Sequence, residues 1–93
     1  MKAEAFPVNL DDADDGELAQ VEHYARHALA FPFATAHGLT VPEAREALGL
    51  LASYAKSVRE ARALRIAGRV ARAMVLERAN ADRYAELPAC LRW

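Results

Sequence analysis

His23 and His27 stand four residues apart, a spacing that sets two imidazoles on one face of a helix and suits a zinc ion. His37 could join them, but no cysteine or carboxylate lies at a characteristic distance along the chain. The pair also falls opposite the apolar stripe of its helix, where solvated histidines are ordinary. Asp11, Asp12, Asp14 and Asp15 have the carboxylate density of a calcium loop. Gly16 is misplaced for such a loop, however, and no bidentate glutamate closes it. Acidity at a helix start accounts for the cluster better.

Nucleophilic chemistry has as little support. Ser53 and Ser57 fall on a helix with no histidine in local register, and Cys90 has only Arg92 as a nearby cation, which reads as a structural cysteine. The glycines, Gly16, Gly38, Gly49 and Gly68, are too widely separated for a phosphate-cradling loop. The expectation is a protein that is not an enzyme and takes no metal or cofactor.

Charge is the other candidate for function. Arg62, Arg65, Arg69 and Arg72 recur at helical spacing with no acid four residues away to neutralise them, so they form a stripe that could meet phosphate or an acidic protein surface. No aromatic interleaves them to stack a base, and the net charge of the chain is −1. A protein partner is therefore favoured over nucleic acid. The balance conceals an asymmetry: residues 1–22 hold seven acids against Lys2, whereas residues 58–93 hold eight arginines against Glu60, Glu77, Asp82 and Glu86. Opposite ends of this kind are expected to lie together, within one subunit or between two.

These groups must be positioned by helices. Between Pro42 and Pro88 there is no proline and no dense turn signal, and alanine, arginine, leucine and glutamate dominate. The predicted class is all-α: an antiparallel helical hairpin or small bundle with one long helix, continuous or gently kinked. Residues 1–13 read as an extended arm around Phe6-Pro7-Val8, and residues 14–93 as a single domain. Within it, helix 14–31 starts at a capping box, Asp14 to Glu17, and carries Leu18, Val21, Ala25, Ala28 and Leu29 on one side. Pro32 is expected to end it, with 32–39 as a loop. The long helix, 40–81, starts at a second capping box, Thr40 to Glu43, with Pro42 in its first turn. Residues 82–93 form a carboxy-terminal segment whose Tyr84, Leu87, Leu91 and Trp93 should dock on the helices.

In the long helix, Val41, Ala44, Leu48, Leu51, Ala55 and Val58 recur at spacings of three and four, a short heptad seam. Beyond Val58 the phase changes. The arginine stripe takes over that side, and Ile66, Val70 and Met74 define a new apolar face. Either the helix continues to about 40 residues, or ~60 Å, and meets a second partner, or Ser57-Val58-Arg59-Glu60 acts as a third capping box where it bends or restarts. A core so rich in alanine closes poorly alone, and the seam from Val41 to Met74 points to a homodimer.

Residues 39–50 run Leu39-Thr40-Val41-Pro42-Glu43-Ala44-Arg45-Glu46-Ala47-Leu48-Gly49-Leu50. This run resembles the first helix and turn of helix-turn-helix DNA-binding domains of the excisionase and MerR type, which often read Leu-Thr-Val-x-Glu-Ala and then Leu-Gly-Val. The resemblance implies a turn at Gly49, core positions at Leu48 and Leu50, and a following helix that carries Lys56, Arg59 and Arg62 into the major groove. It covers about a dozen residues. After it, Leu51 stands where those families usually have a capping serine or threonine.

Two functions follow as expectations. The first is a non-catalytic interaction or regulatory protein, adaptor- or inhibitor-like, acting as a homodimer that also binds another protein. The second is a small DNA-binding regulator using residues 40–62. With one cysteine and no long apolar run, the chain is expected in the cytoplasm and away from membranes.

Overall fold

The computed structural model describes residues 9–93, so the predicted arm around Phe6-Pro7-Val8 lies outside the described residues. Four α-helices follow one another, α1 (Asp15–His27), α2 (Ala30–His37), α3 (Val41–Ile66) and α4 (Val70–Glu86), and a single 3₁₀ turn spans Ala89–Leu91. The all-α class is as expected. Among the described residues no helix is long and apolar enough to cross a membrane.

Both predicted capping boxes form. Asp14 accepts from the Glu17 N–H at 2.8 Å while Glu17 accepts from the Asp14 N–H at 3.0 Å. Thr40 and Glu43 exchange the equivalent bonds at 3.3 and 2.9 Å. These fix where α1 and α3 begin.

Where helices end, the structure corrects the sequence reading. Pro32 breaks the first helix upstream of itself: a proline ring clashes with the carbonyl four residues back, here that of Ala28, and Ala28 accordingly turns extended at φ −66°, ψ 140°. Helix α1 stops at His27. Pro32 then falls in the first turn of α2, where its missing N–H has no intrahelical acceptor to lose. Most of the expected 32–39 loop is thus helix, closed by Gly38 in the left-handed region at φ 67°.

The expected helix 40–81 is two antiparallel helices. Helix α3 runs without interruption through both Gly49 and Ser57, so neither the turn at Gly49 nor the restart at Ser57 exists. The reversal comes at Ala67-Gly68-Arg69. There Gly68 adopts φ 78°, and the Arg69 N–H bonds back to the Leu64 carbonyl at 2.8 Å. A residue without Cβ enters this conformation freely. Asn80, next to the expected end of the long helix at residue 81, is buried inside α4, its amide oxygen accepting from Arg83 at 2.7 Å. The same guanidinium group reaches the buried Ser57 hydroxyl on α3 at 3.0 Å, which ties the two helices together.

Helix α3 is the centre of the molecule, touching α1, α2 and α4. The change of phase after Val58 reflects this arrangement. The face carrying Ala44, Leu48, Leu51, Ala55 and Val58 is buried against α1, α2 and the carboxy-terminal residues, while Ser57 and Ala61 turn toward α4. Leu10, Leu18, Val21, Leu87 and Leu91 complete the core with almost no exposure. The carboxy-terminal residues dock, as the sequence suggested. Arg92 donates to the Leu87 and Ala85 carbonyls at 3.0 and 2.9 Å, satisfying the end of α4.

Candidate interaction surface

The arginine stripe is not one free surface. Arg62 pairs with Asp15 at 3.1 Å and also donates to the Asp11 carbonyl at 3.0 Å. Arg65 grips both oxygens of Glu77 across the α3–α4 hairpin, at 2.6 and 2.7 Å. This bidentate pair holds the Glu77 carboxyl below, and the Arg65 guanidinium above, their ordinary ranges. Arg69 and Arg72 lie beyond the reach of α1, and among the described residues neither has an acidic partner.

Arg59 is likewise engaged, with Glu22 of α1, which also takes Arg26 at 3.0 Å. Burial pushes the Glu22 carboxyl up, but the two arginines outweigh it and hold its pKa below the usual range. The acidic and basic ends of the sequence therefore meet within one chain, through Asp15, Glu22, Arg59 and Arg62. Arg59 and Arg62 are two of the three side chains, with Lys56, that the helix-turn-helix resemblance would aim at DNA. They are committed elsewhere, on a helix without the required turn.

Asp11 organises a knot that the sequence did not announce. Its carboxylate accepts from the Tyr54 hydroxyl at 2.6 Å and from the Trp93 indole N–H at 3.0 Å. Trp93 meets the rings of Tyr54 and Tyr84 edge-on, with centroids 5.0 and 4.8 Å away, and its carbonyl accepts from the Tyr84 hydroxyl. Burial, and then the Asp11 carboxylate, raise the Tyr54 phenol well above its ordinary pKa. With sequence separations of 43 and 82 residues, no local pattern could have revealed these contacts.

The remaining candidates are scattered. His23 and His27 meet on the exposed side of α1 with ring centroids 4.5 Å apart and planes tilted by 46°, and His37 lies against Phe33. Among the described residues no three histidines, cysteines or carboxylates are grouped to hold a metal ion. Cys90 is exposed rather than packed, its thiol 3.6 Å from the His37 carbonyl.

The distinctive surface is apolar. Of the predicted seam, Ala44, Leu48, Leu51, Ala55 and Val58 are buried inside this chain and Val41 is half-buried. Ile66, Val70 and Met74 are 89%, 45% and 57% exposed, and Val75 is 66% exposed. These four residues cluster at the free end of the α3–α4 hairpin. Beside them a groove of about 490 Å³ runs between the two helices, lined by Ala63, Leu64, Val75 and Leu76 and by two charged residues, Glu60 of α3 and Arg72 of α4. A second, shallower groove of about 670 Å³ lies between the end of α1 and α3, near Leu29, Arg45 and Gly49. The sequence signalled the first of these surfaces through an apolar surplus on α4, but not the groove that the chain reversal creates. No known protein family, curated protein or solved structure matches the chain.

Proposed function

We infer that the protein is a non-catalytic helical interaction protein that works as a homodimer and engages a further protein, in a regulatory or adaptor-like role. One observation carries this reading: Ile66, Val70, Met74 and Val75 stand exposed together on the end of the hairpin that α1 and α2 do not cover. Full burial of a side chain of this size contributes about 1.5–3 kcal/mol, so leaving four in water has a cost that an interface would remove. The rest of the hydrophobic seam is consumed internally, which makes this end the natural place for a partner.

Sedimentation is the direct test. At micromolar concentration the expected mass is twice the chain's 10.2 kDa. A species that stays at the mass of one chain throughout that range refutes the homodimer.

A further inference from the structure

We propose that the groove between α3 and α4 is where a second copy of this chain docks, each copy setting its Arg72 against the partner's Glu60. The proposal rests on the homodimer reading above and names the surface that would serve it.

The groove has an apolar lining and, on its two sides, rims of opposite sign, Glu60 on α3 and Arg72 on α4. Both side chains are exposed, and among the described residues neither forms an ion pair, with each other or with anything else. This separates them from Arg59, Arg62 and Arg65, which are all engaged. A partner of one charge would satisfy one rim and be repelled by the other. A copy of the same surface satisfies both, because a two-fold interface brings residue i to residue j and residue j back to residue i. A two-fold axis lying in the plane of the face, midway between the rims and across the line joining them, superposes each Glu60 on the other chain's Arg72. The two apolar linings, Val75 among them, then face each other.

Steps of about 100° per residue turn Val75 away from Met74 around α4, and the groove lining includes neither Met74, Val70 nor Ile66. Ile66, Val70 and Met74 thus lie outside the groove lining itself.

Reversing one charge at a time tests the pairing. Glu60→Arg gives a groove with two positive rims and Arg72→Glu one with two negative rims, so each variant should self-associate at least about tenfold more weakly than wild type at low salt. An equimolar mixture of the two variants should recover dimers, since one supplies only cations and the other only carboxylates. Val75→Asp should dissociate the dimer at any salt concentration, and far-UV circular dichroism of all three variants checks that the fold is kept. Analytical ultracentrifugation of each protein alone and of the mixture reads the result. A wild-type dimer whose dissociation constant is unmoved by any of the three changes overturns the groove and leaves the homodimer standing. A wild-type monomer overturns both.

Discussion

Replacing Asp11 by alanine should unfasten the molecule at a point that looks minor, since the residue is exposed. The substitution leaves the Tyr54 hydroxyl and the Trp93 indole N–H without their acceptor, while Arg62 keeps both Asp15 and the backbone carbonyl of residue 11. Hydrogen bonds to a charged group contribute about 1.5–3 kcal/mol each. Water reaches Asp11 and replaces part of this, so the lower bound applies to both bonds and the expected loss is about 3 kcal/mol. A domain of this size loses about 4–8 °C of melting temperature per kcal/mol, which predicts a fall of about 12–24 °C. Trp93 is the only tryptophan, so its fluorescence follows the same knot during urea unfolding, and its emission should move to the red in the native variant. Tyr54→Phe removes one donor and one bond. In the double variant the losses should fall short of additive by about 1.5 kcal/mol, because the same bond cannot be lost twice. A melting temperature for Asp11→Ala within about 4 °C of wild type, or strict additivity with Tyr54→Phe, would refute the view that this carboxylate joins the start, middle and end of the described chain.

Two further outcomes follow from the same structure. Gly68→Ala forces a Cβ into the left-handed conformation at φ 78° although space around it is open, so it should cost about 1 kcal/mol, read as a lower urea midpoint with an unchanged m-value. Acid should destabilise the fold through Glu22, Glu43 and Glu77, whose pKa values are all lowered in the folded state. Their contribution is complete above the unfolded value of about 4.3 and is lost as pH falls through the lower folded values. Melting temperature should therefore be flat from pH 7 to about 5 and drop below about 4.3, with a shallower acid limb in Glu22→Gln.

What could be read from the sequence was what local chemistry decides. Two capping boxes place the starts of α1 and α3 because the bonds that make them span three residues. Helix ends were less legible. The steric effect of Pro32 falls on Ala28, four residues earlier, so the break precedes the residue that causes it. Gly68, which falls inside the expected helix 40–81, takes the left-handed conformation at the point where the chain reverses, whereas Gly49, with the stronger resemblance to a known turn, sits on an exposed helical face and does nothing to interrupt it. Isolated glycines of these two kinds have no local mark that separates them. Tertiary packing separates them: α4 has Ala61 and Ser57 to fold back upon, and a turn at Gly49 would have pulled Leu48 and Leu51 from the core.

The same logic limits what the arginines could reveal. Arg62 and Arg65 both stand on α3, yet what each of them does depends on where the acids arrive. Helix α1, laid antiparallel along α3, brings Asp15 and Glu22 to Arg62 and Arg59, and the reversal at Gly68 brings Glu77 to Arg65. What remains is set by geometry, since α1 begins at Asp15 and cannot reach the hairpin end. There Arg69 and Arg72 stay without acidic partners among the described residues, beside exposed Ile66, Val70, Met74 and Val75. Charge and apolar surface left over at the same place, by the same shortfall of covering helix, favour this end over the engaged stripe as the surface for the partner inferred above.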